Sequence, residues 1–313
     1  MTTERTNGDL RAGAHFFKGH GLGNDYLVFE GVEAGGEADG FDPGWAVTPE
    51  AIRRVCQRHR GVGGDGIVVR LPEVEGGPRL RMFNPDGGEF ERSGNGLRVF
   101  AAYLGERGEA PTGPFPVRTG GGPVTMEVAP PQGRGVYDVA VSMGQAATTP
   151  ESVGAIADAS LKGPLGEPLD WQPVSVGNPH CVVFGQEVAD ERARELGPHL
   201  ERHPTFPHGV NVQLAEVLDA GSRTVRMAIW ERGVGITSAS GTSACAVATA
   251  CVERGAVAPG EVVVKMPGGE LRVEVDASRF LTLRGPVQEV QHGVLTDGYL
   301  TWLGALERPD TTF

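Results

Sequence analysis

The chain has 313 residues, a net charge of −12 and four cysteines, and its length suits two domains with ordinary cores. The acidic balance excludes nucleic acid and anionic membrane surfaces as partners, since either calls for a basic face. Cys56, Cys181, Cys245 and Cys251 lie outside any CxxC or Cys/His zinc spacing, which suits a reducing cytoplasm better than a disulfide scaffold.

Residues 1–13 read as a disordered leader with no apolar h-region, and no run reaches the length of a membrane span. A cytoplasmic protein is expected. Thr48 to Arg60 reads as a helix, opening on Thr-Pro-Glu. Short apolar runs then read as strands at Ile67–Leu71, Leu80–Phe83, Val124–Val128 and Val136–Val141. Around Gly144–Asp170 the composition shifts to Ala, Pro, Gly and Ser, as at a domain boundary. Further strands are expected near Val174–Val176, Val182–Phe184, Val210–Leu214, Val225–Trp230, Val262–Lys265, Leu271–Val275 and Leu281–Leu283, with a polar helix after Asp190.

The second half repeats the first. "GLGND" (Asn24), "GVGGDGIVV" (Asp65, Gly66), "MFNPDG" (Asn84) and "RSGNG" (Ser93) are followed in the same order by "VGNPH" (Asn178), "HGVNVQL" (Asn211), "IWERG" (Glu231) and "ASGTS" (Ser240). Asn84 precedes Ser93 by nine residues, and Glu231 precedes Ser240 by nine. Asp65 precedes Ser93 by 28, and Asn211 precedes Ser240 by 29. Two half-molecules of similar architecture are therefore expected. After each serine comes a segment that is apolar nearly all round, Leu97 to Leu104 and Ala244 to Val252, so each predicts a buried helix wrapped by strands. Two such helix N-termini facing one cleft would suit a carboxylate.

Each motif also has a plain local reading. Ser93 and Ser240 are good N-caps, His180 suits a hydrogen-bonded strand end, and Glu231–Arg232 suits a surface ion pair. "GVGGDG" spells GxGxxG but precedes a strand instead of following one, so a dinucleotide site is not expected. A Ser-His-Asp hydrolase would lack its GxSxG elbow.

As a set, the motifs resemble diaminopimelate epimerase. The resemblance runs through "FFKGHGLGNDYLV", "RHRGVGGDGIVV", "RMFNPDGGEFERSGNGLRVFA", "VSVGNPHCVV", "FPHGVNV", "WERGVGITSASGTSACA", "MPGGELRV" and "LRGPV", covering residues 14 to 300. It implies an α/β (α+β) fold of two pseudo-symmetric domains. Each is a barrel-like, mostly antiparallel sheet around a central apolar helix, with the active site in the cleft between them. The expected division is 14–143, with 286–301 returning to it, then 144–285 and a tail at 302–313. The implied activity interconverts LL- and meso-diaminopimelate, on the way to lysine and peptidoglycan, with no pyridoxal phosphate, other cofactor or metal. A homodimer is also implied, with Gln291 where many members place an aromatic at the dimer contact.

The family's chemistry uses two cysteines, one removing the α-proton and the other supplying one from the opposite face. Ser93 and Ser240 stand in those places. By the same resemblance, Asn24, Asn84, Asn178, Asn211, Glu231 and Arg232 bind the substrate's ammonium and carboxylate groups, Arg232 as a distal carboxylate clamp. The backbone N–H groups of Gly94–Asn95 and Gly241–Thr242 hold the carboxylate at the reacting carbon. His180 and Glu231 tune the bases or steer the amine, and Asp65 and Gly66 lie close by.

A thiol titrates near about 8.5 and a hydroxyl lies much nearer water, a gap on the order of 5 units. Making the anion then costs roughly 7 kcal/mol more, or about five decades of rate. Poor activity is expected unless a base such as His180 assists. A directed change of both bases, a natural relative acting as a racemase or hydroxyproline-type dehydratase, and a non-catalytic amino-acid binder all fit two serines in this setting.

Overall fold

The computed structural model describes residues 15–33, 41–42, 44–74, 77–131, 133, 135–156 and 160–306. The expected leader, 1–13, lies outside them. The chain forms two compact units: residues up to Val139 with those from Val287 onward, and Ala140–Pro286. The two divisions fall inside continuous strands, one in Val136–Gln145 and the other in Phe280–Val294.

In the first unit, eight strands follow one another around a barrel: His15–Gly21, Asn24–Glu30, Gly66–Val74, Gly77–Phe83, Phe115–Thr119, Gly122–Val128, the start of Val136–Gln145 and the end of Phe280–Val294. The last pairs back onto the first, His15 opposite Val294 and His20 opposite Gln288, and closes it. The hairpins are antiparallel. Asn24–Glu30 runs parallel to Gly66–Val74, and Gly77–Phe83 runs parallel to Phe115–Thr119.

Helix α1 (Pro49–Cys56) packs on the outside, capped by Thr48, whose Oγ1 accepts the Ala51 N–H at 3.2 Å. Helix α2 (Gly94–Glu106) is buried from Gly94 to Leu104, against Asn24–Glu30, His15–Gly21 and Gly122–Val128. Strand residues Asp25 to Phe29 are consequently all buried, five in succession. A strand covered on both faces loses the in-out alternation that marks a half-exposed one. Leu27 and Phe29 belong to the outer core, with Ile52, Val55 and Ile67.

Helix α1 is shorter than the expected Thr48–Arg60, because Gln57 is already extended. The chain then folds back onto the helix end, with Gly61 so close that a Cβ there would lie 2.0 Å from the Arg54 carbonyl oxygen. This return places Arg58 against Asp25 and Asp65.

The second unit repeats the order. The end of Val136–Gln145, the start of Phe280–Val294, then Gly269–Val275, Gly260–Met266, Thr224–Glu231, Asn211–Asp219, Pro179–Phe184 and Asp170–Ser175 lie side by side. Ala147 bridges Ser175 to close the circuit, each N–H donating to the other's carbonyl. Parallel pairs recur at equivalent places, Pro179–Phe184 with Asn211–Asp219 and Thr224–Glu231 with Gly260–Met266. Helix α3 (Asp190–Glu201) packs outside through Ala193, Leu196 and Leu200, and helix α4 (Gly241–Glu253) is buried from Ser243 to Cys251. The expected fold class is thus the observed one.

A fifth helix, α5 (Asp297–Ala305), has no counterpart in the expectations. It runs into the segment read as a tail at 302, burying Leu303 with Ile52 and Val55 beside α1.

Asp25 is the polar anchor of the first unit. Lys18 lies 2.9 Å from its carboxylate, and the Arg58 guanidinium donates to both its oxygens at 3.0 and 2.7 Å. Burial pushes the Asp25 carboxyl up, but the Arg58 and Lys18 donors outweigh this and hold it at about 2. Its neighbour Asp65 shifts the other way, raised by burial and by the Asp25 carboxyl. A carboxyl depressed in the folded state stabilises above its unfolded value, and that contribution is lost as pH falls through the folded one. Asp25→Asn is therefore expected to lower stability at pH 6 by on the order of 2 kcal/mol. Thermal melts of both proteins between pH 6 and 2 check this: the gap should narrow below pH 4, and a gap independent of pH would remove Asp25 from this role.

Candidate functional site

Each unit buries an apolar helix inside its barrel, and the first turn of each gathers polar side chains. The two groups are described in turn.

In the first unit Ser93 is the N-cap of α2, its Oγ accepting the Gly96 N–H at 3.1 Å. This satisfies the third residue of the helix. The N–H groups of Gly94 and Asn95 have no hydrogen-bond partner among the described residues, so they remain as donors at the positive end of the helix dipole.

The Asn95 side chain reaches the turn between the first two strands. Its amide donates to the Asn24 carbonyl oxygen at 2.8 Å and to Asn24 Oδ1 at 2.6 Å, while its own Oδ1 accepts from the buried Arg98 at 2.9 Å. Gly21 makes this approach possible, since a Cβ there would lie 2.2 Å from Asn95 Oδ1. Asn24 Nδ2 and the Asp25 N–H both donate to Asp65 Oδ2, at 3.3 and 3.2 Å. Asn24, Asp65, Ser93, Gly94 and Asn95 thus form one connected group.

Gly66 belongs to it sterically. A Cβ at Gly66 would lie 2.4 Å from Cε1 of Tyr26, whose hydroxyl donates to Ser93 Oγ at 3.3 Å. Asn84 stands apart, exposed in a tight turn in which its N–H donates to the Gly88 carbonyl.

In the second unit Ser240 caps α4, its Oγ accepting the Ser243 N–H at 3.4 Å, and the N–H groups of Gly241 and Thr242 have no partner among the described residues. Glu231 lies at the end of the preceding strand, where its carboxylate accepts from Ser240 Oγ at 3.4 Å and from Thr237 Oγ1 at 2.7 Å. It is not a surface ion pair. Burial raises its carboxyl above the ordinary value, against the two hydroxyl donors, which lower it.

Asn211 is oriented by donating to the Pro179 carbonyl at 2.9 Å and accepting the Arg232 N–H at 3.0 Å. The Arg232 side chain is exposed and ties one nitrogen to the carbonyls of His208 and Gly209, at 2.9 and 3.4 Å. Its other guanidinium nitrogens make no hydrogen bond among the described residues.

His180 is fully buried on Pro179–Phe184, opposite Asn211 in the parallel register. Its Nδ1 meets Gln213 Oε1 at 3.3 Å, and its Nε2 meets Asn178 Oδ1 at 3.0 Å. Gln213 is held in that orientation because its amide donates to Ser243 Oγ at 3.0 Å. Burial, with Arg232 nearby, lowers the imidazole to about 4 despite the Gln213 hydrogen bond, so the ring is neutral at neutral pH. A neutral ring carries a single N–H and donates it to one of these two amide oxygens. Both ring nitrogens face Gln213 and Asn178, and the group hydrogen-bonded to the Ser240 hydroxyl is Glu231.

The four cysteines supply no alternative acid or base. All are buried, and burial pushes the Cys56 and Cys251 thiols up to about 12. Sequence reasoning missed Tyr26, Arg98, Gln213, Ser243 and Thr237. None stands within a motif whose spacing declares its partner. Tyr26 and Ser93 are 67 positions apart, and the barrel register brings them together.

The chain has known relatives in sequence and in fold. A family model described as Diaminopimelate epimerase matches residues 16–149 and 173–290. A diaminopimelate epimerase from Desulforudis audaxviator is 41% identical over 290 residues, covering 89% of this chain and 98% of its own. One from Pelotomaculum thermopropionicum is 37% identical, with 89% and 98% covered. The fold is shared more widely. A hydroxyproline epimerase from Agrobacterium vitis, solved with trans-4-hydroxy-L-proline, superposes with a TM-score of 0.60 at 17% identity, covering 90% of each chain. A phenazine biosynthesis protein from Bacillus anthracis superposes with a TM-score of 0.64 at 16% identity, covering 90% of this chain and 98% of its own. Over nearly the whole length of its relatives, then, the chain belongs to the diaminopimelate epimerase family and is an isomerase of the epimerase class.

Proposed function

We propose that the chain acts on diaminopimelate, inverting one α-carbon between the LL and meso forms with residues 93 and 240 in the places of the two acid/base groups. The observation that carries the reading is the pair of serine-capped helix starts. Each leaves two N–H groups without a partner among the described residues, at Gly94–Asn95 and at Gly241–Thr242. Such donors suit the α-carboxylate and stabilise charge that spreads onto it when the α-proton leaves. Asn24, Asn84, Asn178 and Asn211 supply amides for the substrate's polar groups, and Glu231 supplies a carboxylate for an ammonium. His180 acts by orienting Asn178. Arg232 keeps guanidinium nitrogens for a distal carboxylate, which favours a diamino dicarboxylate over a cyclic amino acid.

With serine at both positions turnover is slow, by about five decades on the hydroxyl–thiol gap. Glu231 is hydrogen-bonded to Ser240 Oγ, but a carboxylate remains far too weak a base to close that gap.

Proton NMR of LL-diaminopimelate in D2O, with this chain and with the Ser93→Cys, Ser240→Cys double variant, tests the reading. Loss of the α-proton signal and growth of the meso form are expected in the double variant alone. Exchange by the serine chain would overturn the slow-turnover reading and direct attention to Glu231. No reaction by either would sink the substrate assignment. Arg232→Ala is expected to weaken diaminopimelate binding at least tenfold, from loss of a charged partner worth about 2 kcal/mol. Titration calorimetry on the serine chain reads this, and an unchanged Kd would remove Arg232 as the distal clamp.

A further inference from the structure

The structure assigns Tyr26 as a positioning residue for side chain 93: its phenol fixes that side chain by a donated hydrogen bond and favours its anionic form. The inference rests on the reading that residue 93 takes part in proton transfer, and extends it to a residue to which the sequence reading gave no role.

Tyr26 lies on Asn24–Glu30 and is buried, with 6% exposure. Two glycines shape its slot. A Cβ at Gly66 would lie 2.4 Å from Tyr26 Cε1 and 2.8 Å from Cζ, and one at Gly96 would lie 3.1 Å from Cε1. Gly66 comes from the neighbouring parallel strand, where it pairs with Tyr26 itself, and Gly96 from the first turn of α2. The ring is thus held between barrel wall and central helix, and its hydroxyl donates to Ser93 Oγ at 3.3 Å.

Ser93 Oγ accepts the Gly96 N–H as well, at 3.1 Å. Two donors converge on one atom at the positive end of a buried helix, an arrangement that stabilises negative charge on that atom. Position 240 differs: Ser240 Oγ accepts from the Ser243 N–H and donates to Glu231, a partner that favours the protonated form. The two caps are alike in backbone geometry but opposite in electrostatic setting.

The test needs no substrate, so its failure and that of the diaminopimelate reading are separable. Full-length Ser93→Cys is alkylated with iodoacetamide across pH 5 to 10, with and without Tyr26→Phe, and labelling is followed by intact mass. The four native cysteines are buried, so labelling reports position 93. Tyr26→Phe is expected to move the midpoint of the labelling profile up by about one pH unit, a loss of up to about tenfold in thiolate at pH 7, with Tm unchanged. Gly66→Ala, which displaces the ring, is expected to move it the same way. Ser240→Cys serves as the control and should be insensitive to Tyr26→Phe. A midpoint unmoved by both substitutions, or an equal shift at position 240, overturns the proposal.

Discussion

A helix that is apolar all round can only be stable when enclosed, and enclosure creates a problem at its ends. The first N–H groups of an α-helix have no partner within it, and inside a barrel water does not freely supply one. Helices α2 and α4 both meet this constraint, and both meet it in the same way. A serine satisfies the third N–H and leaves the first two as donors. Much of the polar structure in each unit follows from those few donors, because groups that can stand near a positive helix end, or be held there by others, collect around it.

In the first unit the holding is done through charge. Asp25 binds Lys18 and Arg58, Arg58 also binds Asp65, and Asp65 receives the Asn24 amide. Asn24 in turn receives Asn95 from the helix start. The chain of contacts ties barrel wall, return loop and central helix together through the Asn24 amide. The second unit reaches a similar end with mostly neutral groups, Gln213 linking His180 to Ser243 and Asn211 linking Pro179 to Arg232.

Repetition of the topology therefore does not mean repetition of the chemistry. Both units share strand order, parallel pairs and serine caps. Around the cap oxygen they differ, with a phenol and an N–H donating at Ser93, and an N–H donating and a carboxylate accepting at Ser240.

The sequence by itself determined the buried helices, the serines before them, most strands, the doubled order and the family. These are carried by signals that are local or repeated: apolar residues all round a helix, a cap beside its first turn, equal spacings in two halves. It did not disclose α5, where Leu303 is buried against α1, or the early end of α1, which a glycine approach to the Arg54 carbonyl decides. Only the tertiary structure decided that Glu231 and not His180 is bonded to Ser240, and that Tyr26 fills the space Gly66 leaves beside Ser93. The reason is range. Tyr26 and Gly66 meet through the register of two parallel strands, and Tyr26 meets Ser93 across 67 positions once the barrel has closed around its helix. No periodicity in a single chain records a contact that exists only after closure.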